Sequence, residues 1–303
     1  MDSAIVATER LTKRYGRTAV VEDLDLRVPT GCVYGFLGPN GSGKSTTMKM
    51  LLALVRPTQG EVRIMGRPME RGTRRELLAH IGSLIETPPG YAHLTGAENM
   101  RIVRRMLGLT RDQVEAAVRT VRLQEQMAKT VRTYSLGMKQ RLGIAMALAR
   151  QPRLLILDEP TNGLDPAGID EIRTLLRDLA HNGVTVMVSS HLLGEIDRTA
   201  DVLGILSGGR MLFQGTRADL FAASTPDLVI RCTDPRAAAQ SLTPRGARLT
   251  ADAEVVVPGP DDRRTAGIIA DLVGEGIGIH EVRRDAQSLE DVFMDLTAGG
   301  GLR

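Results

Sequence analysis

A glycine-rich stretch near residue 40 has the residue types and spacing of a phosphate-binding loop. It reads Gly-x-x-x-x-Gly-Lys-Ser, follows a short apolar run at residues 33–37 and precedes apolar residues at helical spacing. Glycines allow backbone N–H groups to surround phosphate oxygens, and the helix N-terminus adds a positive dipole end. Lys44 would reach the β- and γ-phosphates, and the Ser45 hydroxyl would ligate Mg²⁺. The sequence therefore predicts a nucleotide site at Gly38, Pro39, Asn40, Gly41, Ser42, Gly43, Lys44, Ser45 and Thr46.

Two acidic residues, Asp158 and Glu159, end a second apolar run at residues 154–157. Four consecutive apolar residues are typical of a buried parallel strand, and ligands bind at the carboxyl ends of such strands. Asp158 would hold Mg²⁺, directly or through water, and Glu159 would be the general base that polarises the attacking water. A single acid after a strand would be an ordinary surface residue. The pair, in one chain with a phosphate loop, indicates catalysis.

Three more residues have positions that suit either a functional or a structural role. His191 follows a predicted strand at residues 184–188, which places it at the same sheet edge as Asp158 and favours a hydrogen bond to a γ-phosphate. Tyr15 precedes a glycine turn and is either a surface ring or a flat platform for a base. Ser135 is a natural N-cap, and its spacing alone does not distinguish a binding residue from the cap of a core helix.

The elements that must position these residues follow an α/β pattern. Residues 4–8 and 19–28 alternate apolar and polar side chains, which predicts two antiparallel strands. Residues 86–130 form a mostly helical insertion, with Thr95 and Glu98 as a capping box. Beyond residue 222, alternating strand and helix patterns predict a small α/β domain, followed by an amphipathic helix at residues 288–297. The predicted domains are a nucleotide-binding domain at residues 1–221, with a helical subdomain at about 86–150, and an accessory domain at residues 222–303.

Composition restricts the class of protein. The chain has 303 residues, 42% of them hydrophobic, so a packed core is expected. A net charge of +3 with scattered arginines gives no argument for nucleic acid. Cys32 and Cys232 lie far apart in the sequence and are expected to be free thiols in a reducing cytosol. We expect no signal peptide and no membrane span, so that any membrane role needs a partner chain.

With these motifs in order, residues 3–220 resemble the ATPase subunit of an ATP-binding cassette (ABC) transporter. The resemblance implies a P-loop NTPase core, made of a mixed sheet with helices, an antiparallel β subdomain and a helical subdomain. Tyr15 matches the adenine-stacking aromatic of the A-loop, and His191 matches the switch histidine. Asp165 matches the D-loop acid. Ser135 and Gly137 lie at the signature position, which in this family contacts the γ-phosphate bound by a second subunit.

The resemblance also implies ligands and partners. They are ATP and Mg²⁺, a homodimer or heterodimer of ATPase subunits, and a separate membrane permease, with no nucleic acid. The chain would lie in the cytoplasm, peripherally on the inner face of the cell membrane. Dimer closure on ATP would then drive export of a drug or an antimicrobial peptide through the permease.

Two departures from the family pattern point to a subfamily. Glu86 stands where a Q-loop glutamine is usual, and as a carboxylate it would serve as a catalytic residue that coordinates Mg²⁺ or a water. Leu136 and Met138 replace a glycine and a glutamine of the signature. Both features resemble bacitracin and lantibiotic-resistance exporters, and residues 288–297 resemble the C-terminal tail of daunorubicin-type exporters.

Cassette ATPases also act on ribosomes or DNA, serve as regulatory subunits or drive import. Cassette ATPases that act on ribosomes usually carry two cassettes, whereas this chain has one phosphate loop. Relatives that act on DNA place a long coiled coil between Lys44 and Asp158, where this chain has no sustained heptads. A non-hydrolysing regulatory subunit is disfavoured by Glu159 and His191, although Glu86 keeps it open. The choice between importer and exporter depends on the family resemblance alone.

Overall fold

The computed structural model describes residues 4–191, 199–223, 226–285 and residue 292. The chain divides into two compact units, residues 1–216 and 217–303. The sequence placed this division between residues 221 and 222, a little later. A strand ends at Thr216 and a helix begins at Arg217, so no loop of distinctive composition marks the change.

A six-stranded sheet forms the centre of the first unit, in the order β11-β10-β4-β9-β8-β7. The five strands from β10 to β7 are parallel, and β11 pairs antiparallel to β10. The strands β4, β8 and β9 are buried at every residue, as their apolar runs predict. The bounds are β4 (Val33–Leu37), β7 (Ile81–Leu84), β8 (Leu154–Asp158), β9 (Thr185–Ser190), β10 (Val202–Ser207) and β11 (Arg210–Thr216). The loops after β4, β7, β8 and β9 therefore meet at one edge.

A second, antiparallel sheet of five strands belongs to the same unit. Its strands are β1 (Ala4–Tyr15), β2 (Thr18–Leu24), β3 (Arg27–Pro29), β5 (Gln59–Ile64) and β6 (Arg67–Pro68). The predicted pairing of the first two strands is confirmed, but the prediction of one continuous strand at residues 19–28 is wrong. The buried Thr8 hydroxyl donates to Leu24 O and accepts from Leu26 N, which stabilises the break between β2 and β3.

Six helices surround these sheets among the described residues of the first unit. They are α1 (Lys44–Leu51), α2 (Arg74–Leu78), α3 (Gly96–Leu107), α4 (Arg111–Thr120), α5 (Leu136–Leu148) and α6 (Pro166–His181). The predicted capping box of Thr95 and Glu98 and the N-cap Ser135 are confirmed. Thr110 and Gln113 form a second capping box that the sequence analysis did not identify. Of the described helices, none is long and apolar enough to span a lipid bilayer.

One hydrophobic core joins the two sheets of this unit through α1. It contains Leu11 and Val21 from the antiparallel sheet, Phe36 and Ile156 from the central sheet, and Met48 from α1. Because α1 packs against β2, β5 and β8, its first residues are fixed relative to both sheets. This packing determines where the phosphate loop lies.

The second unit contains a four-stranded antiparallel sheet, in the order β13-β14-β12-β15, with helices. Its elements are α7 (Arg217–Ala223), β12 (Asp227–Cys232), α8 (Pro235–Ser241), β13 (Arg248–Leu249), β14 (Val255–Val257), α9 (Asp262–Gly274) and β15 (Ile279–Asp285). The predicted α/β character of this region is confirmed, and α8 and α9 pack on a separate apolar core. The helix predicted at residues 288–297 lies outside the described residues except for Val292. Both cysteines are free and buried, and burial raises the pKa of the Cys32 thiol to about 11.

Candidate nucleotide-binding and catalytic site

Three glycines of the phosphate loop occupy positions that disfavour a side chain, because of the backbone angle or because of a close neighbour. Gly41 and Gly43 have φ values of 80° and 104°, in the left-handed region that side chains disfavour. A Cβ on Gly38 would lie 2.3 Å from Leu206 O, and one on Gly43 would lie 2.6 Å from Val20 O. The loop between β4 and α1 therefore packs closely against the backbone carbonyls of Leu206 and Val20, and it turns at residues that have no side chain.

Lys44 is buried at the centre of this loop, at the first position of α1. Its ammonium donates to the carbonyls of Gly38 and Pro39, at 2.7 and 3.2 Å. Burial lowers the pKa of Lys44, while the nearby carboxylates of Glu159 and Asp158 raise it. The lysine and the two acids therefore share one electrostatic site, as the sequence predicts from two separate motifs.

The loop also presents oxygen and nitrogen groups that suit a phosphate with its metal ion. The Ser42 hydroxyl is buried and has no hydrogen-bond partner among the described residues, which is unfavourable unless a ligand supplies one. Ser45 and Asp158 offer the hard oxygen ligands that Mg²⁺ prefers. Across the described residues there is no group of three or more His, Cys, Asp or Glu side chains that could hold a metal alone. The donor set fits an ion bound jointly by the protein and by phosphate oxygens.

Asp158 is buried at the end of β8 and is bound by Ser189 from the neighbouring strand β9. The Ser189 hydroxyl donates to Asp158 Oδ1 at 2.6 Å and accepts from Glu159 N at 2.9 Å. One hydroxyl thus fixes both acidic residues. The sequence analysis did not give Ser189 a role, although a polar pair at the end of a buried strand is a signal for one.

Glu159 has a backbone φ of 48°, a left-handed conformation that costs a non-glycine residue about 1 kcal/mol or more. Its Oε2 lies 3.2 Å from His191 Nδ1 and accepts from Asn162 Nδ2 at 3.3 Å. The histidine nitrogen is close to the carboxylate but lacks the alignment of a hydrogen bond. The structure therefore brings the two predicted residues Glu159 and His191 together, and adds Asn162.

Glu86 follows β7 at the same edge and also has a left-handed backbone, with φ 66°. Its carboxylate contacts the ammonium of Lys49 from α1 at 2.5 Å, and its side chain is 63% exposed. The predicted Mg²⁺ ligand is therefore engaged in an ion pair in this structure. The sequence analysis did not identify Lys49.

Tyr15 lies at the end of β1 with an exposed ring. The Lys13 ammonium lies 4.8 Å from the ring centroid. The ring is therefore open to solvent, as a platform for a nucleobase has to be.

Ser135, Gly137 and Asp165 form a second group at the start of α5 and α6. Ser135 accepts from Met138 N, and Asp165 accepts from Gly168 N. The two helix starts lie together, because a Cβ on Gly163 would be 3.0 Å from Leu136 Cδ2. Within the described part of the chain, no hydrogen bond or ion pair joins this group to the phosphate loop.

A buried lysine in a glycine loop, beside two acids at the end of a parallel strand, defines a P-loop nucleotide-binding protein. Comparison with solved structures agrees on the fold. The chain superposes on cbiO1 of Clostridium perfringens, part of the ABC transporter complex cbiONQ, with a TM-score of 0.68 and 27% identity. The match covers 73% of this chain and 91% of the other.

The family follows from sequence comparison. The family model described as ABC transporter matches residues 21–162. The chain is 40% identical to the bacitracin transport ATP-binding protein BcrA of Enterococcus faecalis, over 98% of both chains. It is 42% identical to the lantibiotic transport ATP-binding protein SrtF of Streptococcus pyogenes, over 68% of this chain and 88% of the relative. The daunorubicin resistance ATP-binding protein DrrA3 of Streptomyces coeruleorubidus is 34% identical, over 98% and 97%. The chain therefore belongs to the ATP-binding proteins of ABC transporters, which confirms the resemblance inferred from its motifs.

Proposed function

We propose that this protein hydrolyses ATP and that the hydrolysis drives efflux of a drug or an antimicrobial peptide through a separate membrane permease. The observation that carries the proposal is the group of Lys44, Asp158, Glu159 and His191 at one sheet edge. A protein that only binds ATP needs the phosphate loop. A hydrolase also needs a carboxylate positioned to act on water, and Glu159 supplies it.

The chemistry assigned to these residues is hydrolysis of the γ-phosphate. The phosphate-loop backbone and Lys44 bind the β- and γ-phosphates, and the Tyr15 ring supports the adenine. Glu159 accepts a proton from a water molecule while the oxygen of that water forms a bond to the γ-phosphorus. The bond between the γ-phosphorus and the β–γ bridging oxygen breaks. The products are ADP and phosphate. His191, beside Glu159, donates a hydrogen bond to the γ-phosphate.

Mg²⁺ would neutralise charge on the phosphates and would be held by Ser45 and Asp158, with Glu86 as a third ligand, directly or through water. The buried Asp158 is well suited, because the Ser189 hydroxyl already fixes one of its oxygens. The Glu86 carboxylate would then be shared between the metal ion and Lys49.

A second ATPase subunit, identical or related, would complete each site. Among the described residues, no hydrogen bond joins Ser135 or Gly137 to the phosphate loop of their own chain, and the family resemblance assigns both to a γ-phosphate bound by the partner. Ser135 and the Gly137 N–H lie at the N-terminus of α5, where an anion is favoured. Asp165 would contribute at the same interface. Closure on ATP and opening after hydrolysis would move the permease, with the ATPase peripheral on the inner face of the cell membrane.

The relatives support export over the other functions considered. BcrA and SrtF are named for transport of bacitracin and of a lantibiotic, and DrrA3 is named for daunorubicin resistance. They also favour an exporter over an importer.

The test is purification of the tagged chain from solubilised membranes, with identification of co-purifying proteins by mass spectrometry and measurement of phosphate release from Mg²⁺–ATP. We expect a polytopic permease in stoichiometric amount and ATP turnover that is lost in Lys44→Ala. Recovery with ribosomal proteins or nucleic acid and without a permease would reject the transport function. Nucleotide binding without turnover, in the presence of the permease, would reject hydrolysis.

A further inference from the structure

A single ion pair joins the phosphate-loop helix to the acid that follows β7. Lys49 lies in the last turn of α1, five positions after Lys44 in the same helix, and its Nζ contacts Glu86 Oε1 at 2.5 Å. The two side chains are 31% and 63% exposed. Exposed pairs of this kind usually contribute little to stability, so stability alone does not explain the contact.

The positions of the two partners are fixed by different parts of the fold. Lys49 is flanked in α1 by Met48 and Met50, which are both buried in the core. Glu86 follows the buried end of β7 and has a left-handed backbone, an unfavourable conformation for a glutamate. The contact therefore joins the phosphate-loop helix to the loop that follows β7.

The fold places this pair at the nucleotide site, because Lys49 lies in the helix that begins at the phosphate loop and Glu86 follows β7 at the sheet edge where β8 ends in Asp158. A lysine side chain is cationic at neutral pH, and the ammonium of Lys49 is bound directly to the Glu86 carboxylate. A free carboxylate at Glu86 would add negative charge close to the phosphates of ATP.

We propose that Lys49 is a positioning residue, which holds the Glu86 carboxylate and offsets its charge beside the bound nucleotide. The inference rests on the proposed function, since it concerns the same ATP site. It explains how a carboxylate can occupy the Q-loop position without repelling the substrate. Lys49 itself need not touch the reacting atoms.

The test is a double-mutant cycle, with Lys49→Gln placed in the wild-type background and in a Glu86→Gln background. In the wild type we expect the KM for Mg²⁺–ATP to rise about fivefold, the upper end for an exposed pair, with kcat changed less than about twofold. In the Glu86→Gln background the same substitution should change KM less than about twofold, because no carboxylate remains to be offset. Lys49→Arg should retain the wild-type KM.

An equal change of KM in both backgrounds would overturn the proposal, because it would show that the charge of Lys49 acts independently of Glu86. An unchanged KM in Lys49→Gln would overturn it as well. A matched control exists in the pair of Arg67 and Glu76, which also has a 2.5 Å contact between exposed side chains and includes no residue of the nucleotide site. Arg67→Gln should leave KM unchanged, and thermal unfolding would verify that each variant is folded.

Failure of the proposed function can be separated from failure of this inference. The same cycle, repeated in a Glu159→Gln background, gives the Kd of a fluorescent ATP analogue without hydrolysis. If the wild type binds ATP but does not release phosphate, only the hydrolase assignment fails. If turnover is normal and the Kd values show no coupling between Lys49 and Glu86, only the positioning role fails.

Discussion

Glu159 and Glu86 follow adjacent parallel strands of one sheet, and both have left-handed backbones, but their partners differ. Glu159 follows β8, its side chain is 25% exposed, and its neighbours are His191 and Asn162. Glu86 follows β7, is 63% exposed, and contacts the ammonium of Lys49. The same local geometry thus presents a carboxylate in two electrostatic environments.

The difference indicates a division of roles between the two acids. Both side-chain contacts of Glu159 fall on Oε2, so the described residues leave Oε1 for a water. Glu86 is instead paired with the ammonium of Lys49, which suits a carboxylate that is held in place and does not accept a proton. The environment of Glu159, with one carboxylate oxygen left for a water, suits a residue that accepts a proton. The environment of Glu86, in an exposed ion pair, suits a residue that positions a metal ion or a water.

Glu159→Gln should have the largest effect. The amide retains the size of the side chain but cannot accept a proton, so phosphate release should fall by at least about 100-fold, while ATP still binds. Steady-state turnover and nucleotide affinity, measured on the same preparation, separate the two effects. Turnover at the wild-type rate would remove Glu159 from the role of base and, with it, the main contrast with Glu86.

Ser189→Ala should have an intermediate effect, on the Glu159 side only. The substitution removes the donor to Asp158 and the acceptor for Glu159 N, so both acids lose their shared support. We expect kcat to fall about tenfold and the free energy of unfolding to fall by about 1–2 kcal/mol, because buried polar groups lose their partner. Phosphate release and chemical denaturation measure the two quantities.

Ser83→Ala is the matched control for this substitution, since Ser83 is an exposed serine on β7. It should leave both quantities unchanged. If Ser189→Ala lowered stability while kcat stayed at the wild-type value, Ser189 would be a structural residue and the acids would be positioned by other contacts.

The framework of this site could be predicted from the sequence. Buried apolar runs predict β4, β8 and β9, and the glycine pattern predicts the loop that precedes α1, because these features depend on residues adjacent in the chain. The helix caps at Thr95 and Ser135 likewise depend only on residues a few positions apart in the chain. Even here, the break between β2 and β3 was missed, since it depends on Thr8 from another strand.

The partners of the acids could not be predicted in this way. Ser189 meets Asp158 across two neighbouring strands, and Lys49 meets Glu86 between a helix and a loop 37 positions further along the chain. Periodicity predicts which face of an element is buried, but it does not determine which polar side chains meet between elements. The sequence therefore predicts the two acids but not the contrast between them.

Glu86→Gln should have the smallest effect of the three substitutions, and it tests the weaker side of the comparison. A glutamine can still coordinate a metal ion or a water through its carbonyl oxygen, and its neutral side chain removes the charge that Lys49 offsets. Substantial activity should therefore remain, with kcat within about threefold of the wild type, because an exposed ion pair contributes little by itself. Steady-state phosphate release, compared with that of Glu159→Gln, measures the difference. A loss as large as that in Glu159→Gln would mean that the charge of Glu86 takes part in hydrolysis. In that case, the greater exposure of Glu86 and its contact with Lys49 would not distinguish a supporting acid from the general base at this sheet edge.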